Sequence, residues 1–467
     1  CKRLNSVLNQ PGAREWSKLE ESLVYVDSVL GSLDSWSSHI QDARAILGAA
    51  RNQSKLLVPL NKLPTETIVY VLTLVNTGCI INNKEEHQPS SLAYNVSAVS
   101  KPLRDIACSA SSLWTHIDLT TGGPQEAACM EYARFCLRYS REQSLSVHIV
   151  DNASEYRSKG VISLLAPHAH RIASASFHLF SRLAVEVILG LFSHVTSSRI
   201  RAFCLNDCDC DPCSVYTSPS PYNKLFDGRL DKFLEPLQVI TIGGPSLSLQ
   251  SVAFRSLSVL KLSVCDDSTP APTLLQLTNT LAACPELRVL ALICFRFTTY
   301  TNAPTDRPVL LPKLELLDLR QRQTGELLTL LSCIAPGSGA LALSLWIEPY
   351  MSEDEKAKLR HFISLSNVTR LYIESTSLVT EELEPQPLPL LPYTFPVVQE
   401  LALGDYDLAG FTPECLLDAK YFPSLHTLHM LHCFVDSYSW RQILDSSAIQ
   451  LAYADDFSIR ELSELSA

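Results

Sequence analysis

Residues 257–265 read LSVLKLSVC, with Leu257, Leu260 and Leu262 followed by Cys265. In an extended chain Leu260 and Leu262 point to one side and Lys261 to the other. The same apolar-x-apolar pair recurs at Val147/Ile149, Ala175/Phe177, Phe203/Leu205, Ile240/Ile242, Leu290/Leu292, Leu317/Leu319, Leu343/Leu345, Leu371/Ile373, Leu401/Leu403 and Leu428/Met430. Successive pairs are about 28 residues apart, and the irregular intervals on either side of Ile240 together make two ordinary ones. A period of that length predicts stacked repeats, each unable to bury its apolar face alone. Roughly ten parallel strands in one curved sheet are expected, from near Val147 to near Met430.

Helical periodicity fills the gaps between strands at Glu126–Tyr139, Ala184–Phe192, Thr273–Ala283, Gly325–Cys333 and Ser352–Leu365. Three units, Ile200-Phe203-Leu205-Cys208, Leu257-Leu260-Leu262-Cys265 and Leu425-Leu428-Met430-Cys433, fit L-x-x-L-x-L-x-x-N/C. On these residues the chain resembles the leucine-rich repeat family over most of 144–433. The resemblance implies an α/β solenoid, with parallel strands on the concave face and helices on the convex face. At the turn position Pro245, Phe295, Arg322, Glu348 and Tyr406 replace Asn or Cys, which makes the array irregular. Glu384–Pro396 and Thr217–Tyr222 read as inserted loops, and the acidic residues 441–467 as a cap or tail. Strand positions facing the concave side include Lys261, Asp318, Arg320, Trp346, Arg370, Tyr372, Glu374 and His429, the candidate substrate-binding set. Trp346 and Tyr372 lead it, because large aromatics dominate binding hot spots.

Ahead of the repeats, Leu63 to Leu119 follows another rule. Pro64 and Glu66 suit the first turn of a helix, and Ile68, Val71, Leu72 and Val75 form one apolar stripe. Leu92, Val96, Val99, Leu103 and Ile106 form a second, which Pro102 must break, with Ser100 as N-cap of the following helix. Leu113 and Trp114 close the unit. The order Leu63-Pro64-x-Glu66, Val99-Ser100-Lys101, Leu113-Trp114 resembles an F-box. That resemblance implies docking on the Skp-type adaptor of a cullin–RING ubiquitin ligase through Leu63, Pro64, Ile68, Leu72, Val99 and Leu103. An ordinary helical cap on the next domain is the competing reading of the same helices.

Residues 1–58 read as a helical lead-in, a hairpin or a coiled coil. Leu19, Leu23, Val26, Val29 and Leu30 repeat at helical spacing, as do Ile40, Ala43, Ile46 and Leu47. Gly31-Ser32 and Asn52–Ser54 punctuate these stretches. Packing on the F-box-like unit is the preferred reading; a dimerisation helix is the alternative, but no heptad is sustained long enough to claim it. The expected organisation is thus 1–58 lead-in, 59–120 F-box-like domain, 121–440 solenoid and 441–467 cap or tail.

Composition narrows function. A net charge of −11 argues against nucleic acid or an anionic membrane as partner, and no apolar run is long enough to span a bilayer. Fifteen scattered cysteines, mostly in apolar surroundings, read as reduced thiols and hence a cytoplasmic or nuclear compartment. The sequons at Asn52, Asn95, Asn152 and Asn367 are discounted as chance in a Ser/Thr-rich chain. The chain begins with Cys1 rather than Met, so a preceding segment is not excluded. No phosphate-binding glycine loop, zinc-protease helix or nucleophile elbow occurs. The spacing of Cys204, Cys208, Cys210 and Cys213 is not two C-x-x-C units, and Cys208 is already accounted for as a repeat's turn position; the histidines at 116, 148, 178, 429 and 432 are dispersed over different repeats. No catalytic residue, metal or cofactor is expected. The reading is a non-enzymatic substrate-recognition subunit that holds a target protein near a ubiquitin-charged enzyme. The alternative is a leucine-rich-repeat recognition or scaffold protein outside the ubiquitin system.

Overall fold

A computed structural model describes residues 13–53, 59–76, 92–121, 125–151, 158–179, 181–195, 199–207, 230–244, 254–264, 271–298, 308–321, 324–347, 351–375, 395–404, 422–436, 451–455 and 458–460, with a few single positions besides. The chain divides into two compact units, Cys1–Trp114 and Thr115–Ala467.

The first unit is helical. Helix α1 (Ala13–Gln53) is continuous through Gly31-Ser32, where a break was expected. One mid-helix glycine costs about 1 kcal/mol relative to alanine and leaves every backbone hydrogen bond in place, so it does not stop a 41-residue helix. A 3-10 turn (Pro59–Lys62) leads into α2 (Thr65–Asn76). Pro64 stands just before that helix, and its carbonyl accepts the first intrahelical bond, from Ile68 N at 3.1 Å. Helices α3 (Leu92–Val99) and α4 (Lys101–Ser109) meet at Ser100, whose extended backbone and side chain cap α4. The hydroxyl accepts from Leu103 N at 3.4 Å and Pro102 falls in the first turn, where it costs no hydrogen bond. Trp114 ends the unit, buried, its indole N–H donating to Ala107 O at 2.7 Å.

The second unit is mixed α/β and solenoid-like, built on one thirteen-stranded sheet. Its strands are β1 (His116–Thr121), β2 (Leu145–Asp151), β3 (Ile172–Leu179), β4 (Ala202–Asp207), β5 (Val239–Gly244), β6 (Val259–Val264), β7 (Val289–Ile293), β9 (Leu316–Arg320), β11 (Leu341–Ile347), β12 (Val368–Ser375), β13 (Glu400–Gly404), β14 (Thr427–Leu431) and β16 (Leu451–Asp455). Short strands β8 (Val309–Leu311) and β10 (Ile334–Pro336) pair with each other, as do β15 (Phe434–Asp436) and β17 (Ser458–Arg460). Every pairing in the large sheet is parallel and joins neighbours in sequence, apart from β8, β10 and β15 being passed over. Helices lie between strands: α5 (Glu126–Tyr139), α6 (Ser158–Leu165), α7 (Ser181–Phe192), α8 (Asp231–Leu234), α9 (Leu274–Ala282), α10 (Thr324–Ser332) and α11 (Glu353–Leu365).

The apolar pairs set the register. Leu260, Leu290, Leu317, Leu343, Leu371, Leu401 and Leu428 align across the sheet as one row, and Leu262, Leu292, Leu319, Leu345, Ile373, Leu403 and Met430 as a second, all buried. A slip of one residue in any strand would turn both rows out of the core. Four of the strands are entered through the same turn: Cys284-Pro285-x-Leu287, Leu311-Pro312-x-Leu314, Phe395-Pro396-x-Val398 and Phe422-Pro423-x-Leu425. The fourth residue's N–H bonds the first one's carbonyl each time. Proline presets the φ that the second turn position needs, and the apolar flanks bury. The sheet outruns the expected span at both ends: β1 pairs with β2 and β16 with β14.

Aromatic rings join successive repeats. Phe192 stacks on Phe233 at 4.0 Å, Phe177 lies 5.7 Å from Phe203, and Phe395 stacks on Phe422 at 5.0 Å. Arg171, at the entry to β3, is 2% exposed. Its guanidinium donates to the carbonyls of Leu137 (3.1 Å), Arg141 and Gln143 (3.4 Å) and to Ser140 Oγ (3.0 Å), closing the C-terminus of α5. The negative end of that helix faces the cation, while burial pulls the Arg171 pKa down.

Candidate binding surfaces

One face of the sheet is sealed by the two leucine rows; on the other, the residues between them stand mostly half-buried or exposed, with Ala291 and His148 buried. Strands run about 4.8 Å apart, so residues one repeat apart in sequence become lateral neighbours. Lys261, Ala291, Asp318, Ser344, Tyr372, Ala402 and His429 form one such row. It is about 29 Å long across seven strands. All eight residues expected to bind substrate lie on this open face.

Five of them gather on the neighbouring strands β9, β11 and β12. Arg320 Nε and Nη2 donate to the two oxygens of Asp318 at 3.0 Å each, a bidentate pair between alternate residues of β9. The guanidinium lies over the Trp346 ring at 5.9 Å, and Trp346 is level with Glu374 on the next strand. Tyr372 Oη donates to Glu374 Oε2 at 2.9 Å. Burial works against the Arg320 charge, and the hydrogen bond to Asp318, with the fields of Asp318, Glu374 and Tyr372, more than restores it. The result is a guanidinium held over the Trp346 ring by Asp318, with the Tyr372–Glu374 pair on the next strand.

Two residues outside the expected binding set border this patch, Gly404 and the turn residue Tyr406. Gly404 gives the Tyr372 ring its room: a Cβ there would sit 2.7 Å from the phenol oxygen and 3.3 Å from Glu374 Cγ. Tyr406, at a turn position, is buried, and its hydroxyl finds no hydrogen-bond partner among the described residues. Burial, with Cys433 and Glu374 nearby, raises its pKa. Lys261 and His429 lie at the two ends of this seven-strand segment, and the register carries the row on to Thr241 and Tyr453. Arg370 sits one row over and lines a cleft of about 660 Å³ with Glu286, Arg288, Lys313 and Glu315. There Lys313 pairs with Glu286 and Arg288 with Glu315.

At the other end of the sheet the register gathers histidines that are dispersed in sequence. Asp118 Oδ1 is 2.9 Å from His116 Nε2 and 3.4 Å from His148 Nδ1. The His148 ring meets His178 edge-on at 5.0 Å, and Asn206 Nδ2 lies 3.5 Å from the His178 ring nitrogens. Ser176 and Cys204 follow His148 in the same row. Cys204 thus stands on the open face and not in the interior, although burial still pushes its thiol pKa up, against thiolate formation. Cys208, Cys210, Cys213 and Cys265 lie outside the described residues, as do the turn residues Pro245, Arg322 and Glu348, the loop expected at 217–222 and residues 384–394 of the loop expected at 384–396. The last two residues of that loop, Phe395 and Pro396, belong instead to the turn entering β13. Cys433 behaves as a turn residue: buried, with Sγ donating to Leu403 O at 3.4 Å in the preceding strand. In the β9 repeat Gln321 does the same, Nε2 donating to Leu292 O at 2.8 Å.

The six residues expected to meet an adaptor divide. Leu63 (42% exposed) and Val99 (62%) are open, as is Pro64, and Leu72 and Leu103 are half-buried. Ile68, at 5%, is in the core of its unit and is removed from the contact set. The reason is the packing of α2 on α3, α4 and the 3-10 turn Ser111–Trp114, which takes the Ile68 side of the stripe inward. The exposed apolar residues of α2 are Tyr70, Val71, Leu74 and Val75, joined by Leu60 and Leu63 before it and Tyr94 and Val99 on α3.

No protein-family model matches the chain, and no curated protein is significantly similar to it. Among the described residues no helix is long and apolar enough to cross a membrane.

Proposed function

We propose that the chain is the substrate-recognition subunit of a cullin–RING ubiquitin ligase in the cytoplasm or nucleus. Its first unit serves as an F-box-like module docking on a Skp-type adaptor. The second serves as a leucine-rich-repeat solenoid whose concave face holds a target protein. The observation that carries this reading is the concentration of exposed apolar side chains on the small helical unit. Leu60, Leu63, Tyr70, Val71, Leu74, Val75, Tyr94 and Val99 are each at least 40% exposed, on helices in the order the F-box resemblance implies. Clusters of that kind mark protein docking sites. The open face supplies the residue types that dominate hot spots, in the Arg320–Trp346–Tyr372 patch. Chemistry in this mechanism belongs to other subunits, and the chain contributes proximity.

The inward turn of Ile68 favours a scaffold protein instead, because it removes one expected adaptor contact. Co-purification decides between them. Leu63→Asp with Val99→Asp changes two exposed residues, so the fold should survive, checked by an unaltered circular dichroism spectrum. Docking buries what these side chains still expose, worth about 3 kcal/mol together, or roughly a hundredfold in Kd. The unsubstituted chain should bring down the Skp-type adaptor and cullin and the double variant should not. If the unsubstituted chain brings down neither, the ligase reading fails and the scaffold reading stands.

A further inference from the structure

We infer that α1 is a dimerisation helix, pairing antiparallel with the same helix of a second copy of this chain. The sequence breaks into two apolar stretches only if Gly31 ends a helix, and it does not. A Cβ at Gly31 would meet nothing within 4 Å, so no packing constraint acts there. With the helix unbroken the stretches join into one spine. Val26, Leu33, Ile40 and Leu47 fall seven residues apart, a spacing that continues in sequence back to Leu19. Leu23 and Leu30 fall between them at the alternate three- and four-residue step, followed by Ser37 and Arg44. From residue 23 to 47 six of eight seam positions are apolar, over about three and a half heptads, long enough to specify a coiled coil. The six side chains are between 49% and 69% exposed. A seam about 36 Å long between helices about 10 Å across buries on the order of 1,000 Å² over both chains, the lower bound for a specific interface.

The polar residues in the seam select the occupant and its direction. In a parallel pair, Arg44 faces the partner's Arg44 inside the seam, two like charges losing water together. In an antiparallel pair centred between Leu30 and Leu33, Leu30 faces the partner's Leu33, Leu23 faces the partner's Ile40, and Val26 faces the partner's Ser37. Arg44 then lies beside the partner's Glu20. The stripe is therefore complementary to its own reverse. Asp27 and the partner's Asp34 border each other in that arrangement, but on the solvent side, where water and salt screen them and the cost is less than a clash at a seam position.

Light scattering and sedimentation of the full chain test this independently of any adaptor. At about 10 μM the mass should be twice 51.7 kDa. Leu30→Glu with Leu33→Glu should return 51.7 kDa with helicity kept, since glutamate is a good helix former. A monomeric unsubstituted chain overturns the inference, and so does a dimer that survives the double change. Arg44→Glu alone, an exposed substitution, should weaken association at least tenfold, and Glu20→Arg combined with Arg44→Glu should restore it. A dimer that the combination fails to restore refutes the antiparallel arrangement.

Discussion

Replacing Arg171 by Met keeps the apolar stem of the side chain and removes only the guanidinium. Four acceptors then lose the guanidinium as donor: the carbonyls of Leu137, Arg141 and Gln143 and the hydroxyl of Ser140, with Leu137 O keeping the Ser140 hydroxyl at 3.3 Å. Three of these contacts are short enough to count fully, and hydrogen bonds from a charged donor contribute about 1.5–3 kcal/mol each. Against that, the cation no longer has to leave water, a penalty of several kcal/mol for a group 2% exposed. The difference is a loss of about 2–4 kcal/mol, confined at first to α5 and the strands beside it, because repeats lean on their neighbours. Urea unfolding followed by circular dichroism should show a lower midpoint, and hydrogen exchange should show lost protection in Glu126–Tyr139 before the C-terminal repeats. Arg171→Lys keeps a cation at the helix end but not the fork, and should fall between. A loss below about 1 kcal/mol, or one spread evenly over all repeats, would refute the claim that this guanidinium closes α5.

Gly404→Ala should destabilise by about 1 kcal/mol by displacing Tyr372 from Glu374, whereas Gly325→Ala in α10, where a Cβ meets nothing, should stabilise by about 0.5–1 kcal/mol. The opposite ranking in thermal melts would show that Gly404 is not making room for the ring. Burial pushes the Cys136 thiol up to about 12, so at pH 8 roughly one molecule in ten thousand carries the thiolate, against about a quarter for a free thiol. Alkylation of Cys136 in the folded chain should therefore run on the order of a thousandfold slower than in urea, measured peptide by peptide; equal rates would refute its burial.

How far the sequence could be read depended on whether a feature is local. The apolar pairs from Val147/Ile149 to Leu428/Met430 recur because each repeat must bury the same two positions, and they all align in the sheet. Helix starts at Thr273 and Ser352 were legible too, since each is a capping box: Thr273 with Gln276, Ser352 with Glu355. Strand β1 also carries the pair, Ile117/Leu119, but sits so close to Trp114 that it was assigned to the helical unit. Strand β16 offers only Ala452 and Ala454 at the two positions, too small to stand out as a repeat. Gln321 escaped because it stands one residue before the expected turn position. In sequence alone the heptad spacing of α1 falls into two stretches about Gly31-Ser32, and only the continuous helix joins them.

The surfaces were legible by face and not by neighbourhood, and the register explains why. Alternation along one strand is enough to send Asp318, Trp346 and Tyr372 outward. That Arg320 lies over Trp346, or that His148 meets Asp118 and His178, depends on which residue of one strand is level with which residue of the next. The two leucine rows decide that, through contacts on the opposite face. A slip of one residue in β12 would put Leu371 and Ile373 on the open side and draw Tyr372 into the core; a slip of two would keep the faces but move Tyr372 and Glu374 away from Trp346. Core and open face are thus fixed by the same choice. Substitutions at Leu371 or Ile373 that shift the register should therefore break the Tyr372–Glu374 hydrogen bond as surely as a change to Tyr372 itself, which the Tyr372 ring signals in NMR spectra would report.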